Sequence, residues 1–204
     1  TPSNSSAASD VYKRQVVSDE NHHCLIIDPG ANGKKVVHYL TENELVPEAV
    51  LLTHGHFDHI GAVDYLYEHY HCPIYLHQDD LEMLDNPQLN LSVYENPFTV
   101  KAPVQSSHEE MKFGDFDVQW LHLPGHCPGS SMIYLKDENI IFSGDVLFKG
   151  SIGRFDFPNS SKYETIESIN KIKEYDFDAV IYPGHGPNST LSEERLNNPY
   201  LKKS

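Results

Sequence analysis

Apolar residues fall in short runs, separated by polar turns containing Gly, Pro or Asp. Cys24-Leu25-Ile26-Ile27, Ala49-Val50-Leu51-Leu52, Pro73-Ile74-Tyr75-Leu76, Val118 to Leu123, Met132 to Leu135, Ile140 to Ser143 and Ala179 to Tyr182 have the length and composition of buried strands. Lys136-Asp137-Glu138-Asn139 joins two of them as a hairpin. Helical spacing appears between the runs. Val36, Val37 and Leu40 predict a helix over Lys34–Leu45, and Ile60, Val63, Leu66 and Tyr67 predict one that begins near Asp58. Leu81 and Leu84 mark a short acidic helix, Ile166, Ile169 and Ile172 a helix over Tyr163–Tyr175, and Leu191 to Leu201 a last short helix and tail. Asp85 to Ser107 holds three prolines without clear periodicity and reads as a covering loop. Helices between and after strands in both halves point to two sheets packed face to face with helices outside.

Composition narrows the function classes. The 204 residues carry 15 Lys and Arg against 30 Asp and Glu, a formal charge of -15. Such a surface repels a phosphate backbone, so nucleic acid is not an expected partner. Cys24, Cys72 and Cys127 are odd in number and lack zinc-motif spacing, which points to a reducing, cytoplasmic setting. No apolar run approaches the ~18 residues that span a bilayer. Residues 1–15 differ from the rest. Thr1 to Ser9 lacks apolar period, and Asp10-Val11-Tyr12-Lys13-Arg14-Gln15 matches the translation of a transposon adaptor, so 1–15 is read as a non-native or disordered segment without packed contacts. The domain is expected over 16–204, with its first strand truncated.

Thr53-His54-Gly55-His56-Phe57-Asp58-His59 places four potential metal ligands where a strand meets a helix. On the strand end, His54 and His56 share a side by the two-residue period, while Asp58 and His59 approach from the first helical turn. Three more candidates each follow a predicted strand in a Gly-containing turn: His126 in Pro124-Gly125-His126, Asp145 in Ser143-Gly144-Asp145, and His185 in Pro183-Gly184-His185. The set divides into His54, His56 and His126 for one ion and Asp58, His59 and His185 for another, with Asp145 shared. Imidazole and carboxylate suit zinc, and iron or manganese as well. Arg154, in Gly153-Arg154-Phe155-Asp156, is a candidate to grip an acidic substrate end, with an ion pair to Asp156 as the alternative role. Cys127 reads as a small buried hydrophobe, and His122 as packing behind His126.

These motifs resemble the metallo-β-lactamase superfamily, and within it the short, single-domain bacterial glyoxalase II (hydroxyacylglutathione hydrolase) type. The resemblance implies an α/β, four-layer αβ/βα sandwich in a single domain, with two divalent ions, zinc foremost, held by the seven ligands named. It implies hydrolysis of a small-molecule thioester such as S-(2-hydroxyacyl)glutathione, with Asp58 and Asp145 in the catalytic centre. Metal coordination brings the pKa of water from about 16 to near 7, so no dedicated base is required. Three other readings remain at this point: a mononuclear iron persulfide dioxygenase using His54, His126 and Asp145, a lactonase-type hydrolase of the same fold, and a non-catalytic binding domain. The chain ends without the helical C-terminal region that supplies glutathione contacts in longer glyoxalase II enzymes, which leaves the thiol carrier open. Oligomeric state is not legible.

Overall fold

The structure is a computed structural model and describes residues 3–4 and 15–202. Val11 and Tyr12 lie outside the described residues. The chain divides into two compact units, one comprising the residues up to Ser107 with Phe113–Asp115, the other His108–Lys112 with Phe116 onward.

The first unit runs β1 (Ser3–Asn4), β2 (Gln15–Ser18), β3 (His23–Ile27), α1 (Gly33–Glu42), β4 (Val46–Leu51), α2 (Phe57–Ile60), α3 (Val63–Tyr70), β5 (Ile74–Leu76), α4 (Leu81–Asp85) and β6 (Val104–Ser106). Its strands form one sheet in that order, with β1–β2 and β2–β3 antiparallel and β3 through β6 parallel. Leu25, Ile26 and Ile27 are fully buried in β3, as the unbroken apolar run requires of a parallel strand covered on both faces. Val36 and Leu40 of α1, Val63 and Leu66 of α3, and Ile26, Val50 and Ile74 of the sheet share one core.

Two features differ from the pattern-based expectation. The helix expected from Asp58 through Tyr67 is broken into α2 and α3, because the Asp28-Pro29-Gly30 turn docks at the junction. Ala62 N–H donates to the Pro29 carbonyl at 2.8 Å, and a Cβ on Gly61 would fall on the Gly30 carbonyl oxygen. The Asp85–Ser107 segment also holds a strand, β6, which pairs in parallel with β5. Its Val-Gln-Ser sequence has no apolar face to announce it.

The second unit runs β7 (Glu110–Phe113, of which Phe113 falls in the first unit), β8 (Phe116–His122), β9 (Ser131–Leu135), β10 (Ile140–Gly144), β11 (Leu147–Phe148), β12 (Ser151–Ile152), α5 (Lys162–Glu174), β13 (Val180–Pro183), β14 (Ser189–Thr190) and α6 (Leu191–Asn197). The larger sheet has the order β14-β13-β10-β9-β8-β7, and β11 and β12 make a small hairpin. β9 and β10 are buried along their whole length and pair antiparallel through the Lys136–Asn139 turn. β10 pairs in parallel with β13, and the register shifts between Phe142 and Gly144, which turns the chain at Asp145 away from the regular ladder. Met132, Ile141 and Ile181 of the sheet pack with Ile169 and Ile172 of α5. Among the described residues no helix is long and apolar enough to cross a membrane.

The start of α5 is specified locally by Ser161-Lys162-Tyr163-Glu164. Ser161 Oγ accepts from Glu164 N–H at 3.2 Å, and Ser161 N–H donates to the Gly125 carbonyl at 2.8 Å. The S161A variant should therefore lose about 1 kcal/mol, read as a fall of roughly 2–4 °C in thermal midpoint for a chain of this size.

Candidate metal centre

In the first unit, four of the proposed ligands stand together at the end of β4 and the start of α2. The His54 and His56 rings are 4.8 Å apart edge-on, the His54 and His59 rings 4.1 Å, and His59 Nε2 lies 3.6 Å from Asp58 Oδ2. His54, His56 and His59 are nearly inaccessible to solvent. Crowded imidazoles at such depth would repel one another if protonated, so the arrangement favours neutral rings that offer lone pairs.

Asp28 sets which nitrogen each ring offers. This buried carboxylate, with its backbone at φ 47°, accepts from Thr53 N–H at 2.7 Å, Thr53 Oγ1 at 2.6 Å and His59 Nδ1 at 2.9 Å. A carboxylate only accepts, so His59 carries its proton on Nδ1 and its lone pair on Nε2. Thr53 Oγ1 gives its proton to Asp28 and then accepts from His54 Nδ1 at 3.1 Å, which fixes His54 in the same tautomer. One carboxylate thus aims two imidazoles. The backbone between them is held as well: Gly55 N–H donates to Asp80 Oδ2 at 3.1 Å, and Phe57 N–H to the Asn90 carbonyl at 2.8 Å. A Cβ on Gly55 would sit 2.9 Å from Met83 Cβ, which explains the glycine between the two histidines.

In the second unit, the other three converge on one carboxylate. Asp145 Oδ2 lies 3.6 Å from His126 Nε2 and 3.7 Å from His185 Nε2. His126 follows β8, and its Nδ1 donates to the Arg154 carbonyl at 2.7 Å, again leaving Nε2 with the lone pair. Its own carbonyl accepts from Ser160 Oγ at 2.7 Å. Gly125, at φ 140°, passes so close to α5 that a Cβ would strike Thr165. His185 follows β13, half-exposed, and Gly184 N–H donates to the Gly144 carbonyl at 2.7 Å. His122 donates through Nε2 to the Pro128 carbonyl at 2.8 Å, bracing the turn that carries His126.

Donor types and spacing fit divalent ions. Two ligand atoms each about 2.1 Å from one ion stand about 3.4 Å apart at the tetrahedral angle and farther apart at wider angles. The separations within each unit, 3.6 Å for Asp58–His59, 3.6 Å for His126–Asp145 and 3.7 Å for His185–Asp145, are too long for hydrogen bonds and of that size. Both units therefore carry His and Asp donors at spacings that suit metal ligands.

Arg154 is engaged within its own loop. Its Nε and Nη2 donate to the two carboxylate oxygens of Asp156, both at 2.9 Å, and its guanidinium lies 4.6 Å from the Phe157 ring centre. The ion pair with Asp156, one of the two roles open to Arg154 in the sequence, is present. Cys127 and Cys24 are fully buried and Cys72 is buried, and burial pushes the Cys24 thiol up to about 12 and Cys72 to about 11. Asp28 and Asp80 are site residues that sequence reasoning misses. Asp28 reads there only as part of a turn, and the one available signal is an acidic residue directly after a buried strand.

A family model described as "Metallo-beta-lactamase superfamily" matches residues 16–185. The chain is 40% identical over 191 residues to a protein of Bacillus subtilis (strain 168) named "Probable metallo-hydrolase YqgX", covering 91% of this chain and 90% of that one. It is 32% identical to "Hydroxyacylglutathione hydrolase GloC" of Haemophilus influenzae, with 91% of each chain covered. Among solved structures, the B3 metallo-beta-lactamase BLEG-1 aligns with a TM-score of 0.87 at 36% identity, over 94% of both chains. TTHA1623 in a di-iron-bound form aligns with a TM-score of 0.84 at 34% identity, over 98% of this chain and 100% of that one.

Replacing Asp28 by Ala would strand the Thr53 donors and the His59 Nδ1 proton. In metal-stripped protein, the urea unfolding midpoint should fall by the equivalent of about 3 kcal/mol, one to several times the cost of a single buried donor left unpaired. Asp28→Asn, which keeps one acceptor oxygen, should lose less.

Proposed function

The chain belongs to the metallo-beta-lactamase superfamily, and we propose that within it this protein is a dinuclear metal-dependent hydrolase of small-molecule thioesters, of which S-(2-hydroxyacyl)glutathione is the model substrate. The observation that carries this reading is Asp145, whose single oxygen Oδ2 stands at ligand spacing from both His126 and His185. A carboxylate placed in that way is suited to being shared. In the ligand set we propose, His54, His56 and His126 hold one ion, Asp58, His59 and His185 the other, and Asp145 belongs to both. Zinc is the first choice for five imidazoles and two carboxylates, and the di-iron form of a relative keeps iron open.

When bound, such ions polarise a carbonyl oxygen and acidify water to near neutrality. The net reaction breaks the C–S bond of the thioester, forms a C–O bond with water, and releases a carboxylic acid and a thiol. The protein's own groups contribute position. Asp28, through Thr53 and His59, keeps Nε2 of two imidazoles facing outward from their hydrogen bonds, and the Arg154 carbonyl does the same for His126. Groups already oriented need no reorganisation when charge develops on substrate, which is where a fixed polar site gains over water. The similarity to a hydroxyacylglutathione hydrolase over 91% of the chain supports the thioester class.

A mononuclear iron oxygenase built on His54, His126 and Asp145 would leave Asp58, His59 and His185 without a function. Asp58 and His59 hold ligand spacing, and His59 is oriented by Asp28. That commitment of buried polar groups favours two ions.

Elemental analysis of the purified protein, followed by assay against a panel of acyl-thioesters, tests the proposal. About two zinc-type ions per chain with thiol release is the expected result; one iron with persulfide-dependent oxygen uptake would overturn it. Asp145→Ala should lose both ions and reduce turnover by at least ~100-fold, and full turnover in that variant would defeat the shared-ligand role.

A further inference from the structure

The loop that fixes His126 also carries a charged pair with a consequence for substrate choice. Arg154 is anchored at its backbone, because its carbonyl accepts from His126 Nδ1 at 2.7 Å and the preceding Gly153 packs so tightly that a Cβ there would fall on the Asp145 carbonyl oxygen. From that anchor the guanidinium could reach a ligand bound beside His126. Its Nε and Nη2 are instead both given to Asp156 at 2.9 Å, in the fork geometry that a ligand carboxylate would use. The Phe157 ring backs the pair, 4.6 Å from the guanidinium carbon and edge-on to His126 at 5.6 Å between ring centres.

We propose that Asp156 is a specificity-determining residue, an internal competitor that occupies Arg154 and so disfavours thioesters whose thiol carrier bears a carboxylate. This rests on the thioester-hydrolase reading and deepens it. A ligand carboxylate either displaces Asp156 from the Nε/Nη2 edge or takes the remaining Nη1 side, and in both cases lies next to the Asp156 charge, on a chain of formal charge -15. A neutral carrier meets neither cost. Both side chains are about two-thirds exposed, so the pair is screened by solvent and stays displaceable. Asp156 therefore grades substrates and does not block them. The Arg154 guanidinium holds the Asp156 carboxyl below its ordinary pKa, so the competitor is ionised at neutral pH.

The test uses the full chain loaded with zinc and two substrates with the same acyl group, S-lactoylglutathione, which has two free carboxylates, and S-lactoyl-N-acetylcysteamine, which has none. The readout is the ratio of kcat/KM for the charged over the neutral thioester. D156N should raise this ratio about three- to tenfold, through a lower KM for the glutathione thioester. In an R154Q background the same substitution should raise it less than twofold, since there is no guanidinium to release. An unchanged ratio in D156N would overturn the proposal, and so would an equal rise in the R154Q background, which would assign the effect to charge removal alone. Calorimetric binding of S-hexylglutathione to the same four proteins gives an answer without turnover. D156N should bind it several-fold tighter only when Arg154 is present. A wild-type protein that binds this ligand and cleaves neither thioester would sink the hydrolase reading, while the binding cycle would still decide the part played by Asp156.

Discussion

An imidazole can serve as a ligand only if its proton is parked on the other nitrogen, and much of the local structure answers to that requirement. Three of the five candidate histidines have Nδ1 tied to an oxygen: His59 to Asp28, His54 to Thr53 Oγ1, and His126 to the Arg154 carbonyl. In the first unit the oxygens trace back to one carboxylate. Asp28 joins the end of β3 to the segment after β4 and to α2, so the fold of this corner and the aim of two imidazoles cannot be separated. The turn that begins at Asp28 goes on to break the following helix at Gly61, which keeps α2 to a single turn and confines Asp58 and His59 to it.

The second unit reaches the same end by different means. Its ligands sit on loops after β8, β10 and β13, and close backbone packing positions them. Gly125 lies against Thr165, Gly153 against the Asp145 carbonyl, and Gly144 takes φ 49° where the β10–β13 register shifts. The β11–β12 hairpin that leads into Gly153 and Arg154 is secured from behind by α6. Buried Glu194 accepts from Gly150 N–H at 2.8 Å and from Ser189 Oγ at 2.5 Å, while Asn198 Nδ2 donates to the Ser151 carbonyl at 3.0 Å. The Arg154 carbonyl that orients His126 thus hangs on a hairpin braced by a buried polar network.

The parts of this structure that are legible in the sequence are those governed by local pattern. Continuous apolar runs announce β3, β9 and β10, and isoleucines at helical spacing announce α5. The edge strands β6 and β7, three and four residues long, and the two-residue strands β11 and β12 are not legible, because runs this short carry too little period to stand out. The seven ligand candidates stand out because His and Asp beside Gly at strand ends serve neither a core nor a regular strand, and a metal is the partner that suits them together. Asp28 and Asp80 do not stand out. Their partners lie 25 and 31 residues along the chain for Asp28 and 25 for Asp80, and a hydrogen bond across that separation leaves no local periodicity.

Charge explains why Arg154 matters beyond its loop. Five imidazoles and two carboxylates supply no positive charge as ligands, so any attraction of the proposed centre for an anion comes with its ions. Beyond the ~8 Å over which charges act in physiological salt, an approaching anion meets a surface with twice as many acidic as basic residues, 30 against 15. Long-range attraction therefore cannot select an anionic substrate, and selection falls to contacts made at the mouth of the site. Arg154 is the cation fixed to the His126 loop, and Asp156 holds it in a bidentate grip. A pair that is neutral as a whole adds no bulk attraction, and it discriminates by competition, since a ligand carboxylate gains the Nε/Nη2 edge only by displacing a carboxylate of the protein.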